Sequence, residues 1–210
     1  MNAGFAYVQR SIDAVVRLAL RDTQAMSQLD LTADGFFRSF WAMIVAAPLF
    51  ATTLSGWNYL LITIAIEAGH KFEPSELEFG PLEFALSALM YLLLWFVFPF
   101  AALAVLRFMR QTERFSALII AFNWSTILVM LLFTIPPALF GLGLISAFAT
   151  VAMLFTIFGF SLYYRFFLAA AALQSDSSTA MAIACINVLL FFFILIGMNA
   201  LAIWLTTPNG

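Results

Sequence analysis

The sequence predicts an all-α membrane protein with five transmembrane helices and an N-terminal amphipathic helix at the membrane interface. Hydrophobic residues make up 64% of the 210-residue chain and charged residues only 10%, which is far from the composition of a water-soluble domain. Five apolar runs reach or exceed the ~20 residues that cross a hydrocarbon core. The arginines cluster in the connections on one side of those runs.

Residues 1–35 are predicted to form a cytoplasmic segment, in which a helix is followed by a linker. Apolar side chains between Val8 and Ala19 recur with the helical period of about 3.6 residues. Another face of the same helix carries Arg10, Arg17 and Arg21. Such a helix fits two places, the headgroup region of the bilayer or the cytoplasmic ends of its own bundle or of a partner protein. The sequence leaves both open.

Residues 36–210 are predicted to form a five-helix transmembrane bundle. The spans are expected at about 39–66, 82–106, 116–135, 138–164 and 180–205. Pro48 and Pro99 lie within the first two spans, where each removes a backbone donor. Pro136-Pro137 is predicted to end the third span in a tight turn, because two prolines interrupt a regular helix. Tyr163-Tyr164-Arg165 is predicted to end the fourth span at the headgroup boundary, and residues 169–173 are a candidate extension of this helix past the membrane surface.

The distribution of basic residues predicts the orientation of the chain. Five spans place the N-terminus, the turn after the second span and the connection after the fourth span on the same side. Eight of the nine basic residues lie on that side, namely Arg10, Arg17, Arg21, Arg38, Arg107, Arg110, Arg114 and Arg165. Only Lys71 lies on the other side, in an acidic loop at 67–80. Because cytoplasmic loops are enriched in Lys and Arg, the N-terminus is predicted to be cytoplasmic and the C-terminus to lie outside.

Two sets of residues are candidates for contacts. Membrane-surface or partner binding is predicted for the arginines of the N-terminal segment and of the turn after the second span, which are Arg10, Arg17, Arg21, Arg107, Arg110 and Arg114. Guanidinium groups bind phosphate and carboxylate oxygens in pairs. Asn123 and Asn187 each lie at a depth of roughly 10 Å within their helices. They are the candidates for interhelical hydrogen bonds.

No catalytic, cofactor or metal site is predicted. One cysteine and one histidine are too few for a disulfide or for a Cys/His metal site. No nucleophile lies beside a base, and no glycine-rich loop would hold a phosphate. The acidic loop is predicted to be a solvated surface, and nucleic-acid binding is not expected without a soluble basic patch.

The order of the segments resembles the Yip family of membrane proteins. The shared features are five spans, a cytoplasmic N-terminal region of a few dozen residues, short loops and a very short C-terminus on the far side. The family signatures Asp-Leu-Tyr-Gly-Pro and Gly-Tyr are absent, and the nearest match is Asp34-Gly35-Phe36-Phe37. In eukaryotes the family is associated with Rab-type GTPases and with membrane traffic or shaping. The resemblance therefore implies an organising role and assigns no functional residue.

Two functions are expected from these observations. The first is a non-enzymatic integral membrane protein that organises or shapes the membrane or binds protein partners, alone or as an accessory subunit of a larger complex. Its partners would be the lipid bilayer and a membrane protein or a second copy of the chain. The alternative is a small transporter or channel, which Pro48, Pro99 and the intramembrane asparagines would favour. The short loops favour a bacterial inner membrane.

Overall fold

The computed structural model describes residues 3–71 and 80–206, and every regular element in those ranges is helical. The α-helices are α1 (Ala3–Ala19), α2 (Ala33–Ser39), α3 (Trp41–Glu67), α4 (Pro81–Phe108), α5 (Phe115–Gly141), α6 (Ala147–Leu173) and α7 (Ser177–Thr206). Short 3-10 helices occupy Thr23–Gln28 and Thr112–Arg114. Most of the acidic loop, predicted to be solvated, lies outside the described residues.

Five helical segments are long and apolar enough to cross a membrane by length and composition. These are α2 with α3, and then α4, α5, α6 and α7. The predicted all-α class and the number of spans are thereby confirmed. A helix of 27 residues, such as α5, is about 40 Å long, so each span also extends beyond the ~30 Å hydrocarbon core.

The prediction that Pro136-Pro137 ends the third span is wrong. Helix α5 continues through both prolines to Gly141, and the turn to α6 follows. Both prolines are buried, and Pro137 packs so closely on α3 that a Cβ atom at Gly56 would lie 2.6 Å from the Pro137 Cβ. Membrane helices tolerate proline where neighbouring helices and hydroxyl side chains stabilise the interrupted turn. The fourth span is displaced accordingly, to Ala147–Leu173.

Helix α5 forms the centre of the bundle. Every residue from Ala117 to Ser125 is buried, and a larger share of α5 is buried than of any other span. Helices α3 and α6 pack against α5, and α7 packs against α4 and α6. The α3–α5 contact includes a hydrogen bond of 2.6 Å between the hydroxyls of Thr53 and Thr134. Such contacts hold apolar helices together where lipid removes the hydrophobic driving force.

Residues 3–40 lie over the end of the bundle at which α5 begins and α6 ends, and we call them the N-terminal cover. Helix α1 buries Ala14, Val15 and Leu18 completely. Both α1 and α2 pack against α5. The sequence left two places open for the N-terminal helix. In the structure this helix, α1, packs against the end of its own bundle. We call this end of the bundle the covered end.

Candidate functional site

The predicted surface arginines belong to elements that meet at the covered end. The ring centroids of Phe36 in α2 and Phe115 at the start of α5 are 6.0 Å apart, which places the cover beside the turn at 109–114. Five of the six candidates are exposed, namely Arg10, Arg21, Arg107, Arg110 and Arg114. Arg38, which was not a candidate, is also exposed there. The guanidinium carbon of Arg38 lies 6.0 Å from the centroid of the Tyr7 ring.

Arg17, the sixth candidate, forms an ion pair within the cover. Its Nη2 donates to Asp22 Oδ2 across 2.5 Å and its Nε donates to the same oxygen across 3.0 Å. The hydrogen bond from Arg17 lowers the pKa of the Asp22 carboxyl below its ordinary value. The other Asp22 oxygen accepts the backbone N–H of Gln24 and begins the 3-10 helix. Arg17 therefore stabilises the turn after α1 and is less free than the other five arginines to bind a ligand.

The two candidate asparagines have different surroundings. Asn123 is buried, and its Nδ2 donates to the Ser39 hydroxyl across 2.8 Å. This bond joins α5 to α2, so Asn123 does form an interhelical contact. Asn187 on α7 is half-buried and forms no hydrogen bond from its side chain within the described ranges. The sequence therefore located one interhelical bond, whose partner is a hydroxyl in the cover.

Arg165 is buried between α5 and α6, with 8% of its surface exposed. Its Nη1 donates to the Phe122 carbonyl across 3.0 Å and to Ser125 Oγ across 2.7 Å. Its Nη2 donates to Thr126 Oγ1 across 2.9 Å. The guanidinium carbon lies 4.9 Å from the centroid of the Phe122 ring. All of these partners belong to one turn of α5, so Arg165 fixes α6 against that turn.

The partners of Arg165 are neutral. Within residues 3–71 and 80–206, the one ion pair between side chains is that of Arg17 with Asp22. An arginine at the centre of a membrane helix costs about 2.5–3.5 kcal/mol on insertion scales. Hydrogen bonds to charged groups return roughly 1.5–3 kcal/mol each. The bonds to α5 offset the burial of the guanidinium, but they leave its positive charge without a counter-ion.

Arg165 lies within helix α6, which continues through the extension predicted at 169–173. Helix α6 runs on to Leu173, so Arg165 lies about 12 Å inside its end. The signal for burial was the apolar run Phe166 to Leu173, which extends the helix by two turns beyond the arginine. A second signal was Ser125-Thr126 on the preceding span, because hydroxyls in a membrane helix often serve polar partners on a neighbour.

The residue next to Arg165 fastens the cover to the bundle. Tyr164 is almost fully buried, and its hydroxyl donates to the Val15 carbonyl on α1 across 2.6 Å. On the following turn of the cover, the Arg21 guanidinium carbon lies 5.1 Å from the centroid of the Tyr163 ring. Three consecutive residues of α6 thus contact three different segments. Tyr163 contacts the segment after α1, Tyr164 contacts α1 and Arg165 contacts α5.

A cavity of about 260 Å³ opens between α1 and the start of α3. It is lined by Gly4, Tyr7, Val8, Arg38 and Trp41. Trp41 is 60% exposed, as expected of an aromatic residue at a membrane–water interface. A cation beside an interfacial tryptophan is suited to contact with a lipid headgroup.

Among the residues that the structure describes, no group of three or more His, Cys, Asp or Glu side chains is placed to hold a metal ion. The covered end thus combines exposed arginines with one buried cation, Arg165. Comparison of the chain with protein-family models, with curated proteins and with solved structures gives no match.

Proposed function

We propose that this chain is a non-enzymatic integral membrane protein that organises membrane and protein partners through its covered end. The observation that carries the proposal is the folded N-terminal cover. Tyr164 and Asn123 fix it to α6 and α5, while exposed arginines remain on its outer surface. A segment held in this way presents a defined surface instead of a flexible tail, which reduces the entropy lost when a partner binds.

The charges at the covered end support binding of phosphate or carboxylate groups. Six exposed arginines lie there, namely Arg10, Arg21, Arg38, Arg107, Arg110 and Arg114. The nearby acids are Asp13, Asp22, Asp30, Asp34, Glu113 and Asp176. Three of these acids, Asp22, Asp30 and Asp176, accept hydrogen bonds from residues close to them in the chain. Arginine is long enough to reach the phosphate level of a bilayer, whereas these short acids stay near their own backbone.

The proposed location is the bacterial inner membrane, with the N-terminus in the cytoplasm. Arginine-rich connections stay on the cytoplasmic side because they cross the bilayer at high cost. The order of the segments resembles that of the Yip family, and this resemblance supports an organising role. Both proposals rest on sequence and are tested together with the function.

The orientation is tested by labelling single cysteines with a maleimide that cannot cross membranes. In a Cys185→Ser background, Leu142→Cys places a thiol at the end opposite the cover, and Thr112→Cys places one at the covered end. In intact spheroplasts we expect labelling at position 142 and none at position 112 until the cells are lysed. Labelling at 112 in intact spheroplasts would reverse the proposed topology.

The organising role is tested by quantitative co-purification from solubilised membranes. Arg107, Arg110 and Arg114 are replaced together by Gln, and Lys71→Gln serves as the control for loss of a basic residue outside the covered end. We expect at least one membrane protein to be enriched with the wild-type and control chains and lost from the triple variant. Equal recovery of every protein with all three chains would contradict a partner site at these arginines.

Arg165 favours a second candidate function, that of a small transporter or channel. Buried charges within membrane helices often mark the path of an ion or solute. The test is solute or ion flux into liposomes that contain the purified chain. Flux that requires Arg165 and is lost in Arg165→Gln would support transport, whereas liposomes as tight as protein-free ones would remove this candidate.

A further inference from the structure

We propose that Arg165 and Ser161 form a binding site for a small monovalent anion of the chloride class, between α5 and α6 within the membrane-spanning bundle. The site is independent of the organising role proposed above, because it lies beneath the cover and not on its outer surface. The anion would act as the counter-ion that the described residues do not supply.

The first argument is the incomplete set of bonds made by the Arg165 side chain. A guanidinium has five N–H groups, and it stays protonated in proteins. Three of these groups are used by the Phe122 carbonyl and by the hydroxyls of Ser125 and Thr126. The Nε–H and one N–H of Nη2 form no hydrogen bond with the described residues. A full positive charge with two free donors is the chemistry that an anion binds.

The second argument is a buried hydroxyl one turn away. Ser161 is 8% exposed, and its Oγ is buried without a hydrogen-bond partner among the described residues. Residues four apart share one face of a helix. Long side chains on a helix lean toward its N-terminus, so the side chain of Arg165 lies over the turn that contains Ser161. Ser161 and Arg165 therefore lie on the same face of α6, one turn apart, with an unused hydroxyl on the first and unused guanidinium donors on the second.

The surroundings favour a small ion over a lipid phosphate. Arg165 lies about 12 Å from the end of α6, and the next turns toward that end are buried at Leu168, Ala169 and Ala172. The cover closes the same end through the bond from Tyr164 to Val15. A phospholipid headgroup would have to pass these contacts with its acyl chains attached. A water molecule would satisfy Ser161 but would leave the charge unbalanced.

The test is anion binding to the purified full-length chain in a neutral maltoside detergent. Gluconate is replaced by chloride or bromide at constant ionic strength, and two quantities are followed, the midpoint of thermal unfolding and the line width of the chloride-35 resonance. We expect a saturable rise of the midpoint with either halide, together with line broadening that bromide displaces. A ligand bound only by the folded chain raises its stability in this way.

Ser161→Ala is the informative variant, since it removes one donor and leaves Arg165 in place. Its half-saturating chloride concentration should rise about fivefold, as expected for loss of a net hydrogen bond of ~1 kcal/mol. Thr156→Ala on the same helix is the matched control, because Thr156 is exposed and its hydroxyl donates to the Ala152 carbonyl. This control should keep the wild-type value. Arg165→Gln, where it folds, should lose the response entirely.

Three results would overturn the proposal. The first is a wild-type chain whose midpoint and line width do not respond to halide. The second is a Ser161→Ala chain with the wild-type half-saturating concentration. The third is a phospholipid that native mass spectrometry finds at one copy per wild-type chain and that is lost in Arg165→Gln, which would identify lipid phosphate as the counter-ion instead.

Discussion

The hydroxyl of Tyr164 on α6 donates a hydrogen bond to the backbone carbonyl of Val15 on α1, and this bond joins two residues 149 positions apart in the chain. It forms where both residues are buried. Because Arg165 follows directly on α6 and bonds to α5, one turn of α6 connects the cover to the centre of the bundle.

Replacing Tyr164 by Phe should loosen the cover without unfolding the spans. The variant keeps the ring and loses one hydrogen bond, a net loss of about 1 kcal/mol. Amide hydrogen exchange in residues 3–22 should become about fivefold faster, since local opening sets the exchange rate, while α5 keeps its protection. Tyr163→Phe, which alters an exposed hydroxyl, is the control. Equal exchange in both variants would show that the bond does not hold the cover.

Gly56→Ala should separate α3 from α5. An added Cβ would meet Pro137 Cβ at 2.6 Å and the Pro137 backbone at 3.3 Å, and neither can move as a flexible side chain would. We expect a loss of about 1–3 kcal/mol in the free energy of unfolding, as for an overpacked contact.

Gly197→Ala is the matched control for that variant, because a Cβ at Gly197 on α7 meets nothing within 4 Å. The control should be neutral or more stable by up to ~1 kcal/mol, from the higher helix propensity of alanine. Denaturant titration in mixed micelles compares the two. A Gly56→Ala chain as stable as the Gly197→Ala chain would contradict the close packing of α3 on α5 at the prolines.

Asn123→Leu should destabilise the chain more than Asn187→Leu does. The first removes a buried bond to Ser39 on α2, which is worth about 0.6 kcal/mol and up to ~1.7 kcal/mol in membrane proteins. Asn187 is half-buried, and its side chain forms no hydrogen bond within the described ranges, so its replacement should cost little. Thermal midpoints in detergent report the difference. A larger loss for Asn187→Leu would reverse the assignment of the interhelical contact.

Acid should weaken the turn after α1. The hydrogen bond from Arg17 lowers the pKa of Asp22 in the folded chain, so the bond contributes stability above the ordinary value of ~3.9. That contribution is lost as the pH falls toward the folded pKa. In hydrogen exchange corrected for intrinsic rates, residues 17–24 should keep their protection above about pH 5 and lose it from there to about pH 3. Asp22→Asn should flatten this dependence, and an equally steep loss in the variant would assign the acid sensitivity elsewhere.

The number of spans could be predicted from the sequence because it depends on partition between water and hydrocarbon. Five apolar runs and their polar connections carry that information residue by residue. The continuation of α5 through Pro136-Pro137 and the burial of Arg165 could not be predicted in the same way. Both depend on contacts with other helices, such as Pro137 on Gly56 and Arg165 on the Phe122 carbonyl.

The candidate site shows the same division. Exposed arginines were found from the bias of charge between connections, which is a one-dimensional property of the chain. The buried cation at Arg165 was missed, because its burial depends on hydroxyls of another helix at Ser125 and Thr126. The sequence feature that indicates this burial is the apolar run Phe166 to Leu173, directly after Arg165.

The separation of Val15 from Tyr164 has a consequence for biosynthesis. Translation at 5–20 residues per second needs roughly 7–30 s to make the 149 residues between them. During that time α5, against which α1 packs, has been made, while the Tyr164 hydroxyl that binds the Val15 carbonyl has not. The bond that fastens the cover to α6 therefore forms only after the first three spans and most of α6 have been synthesised.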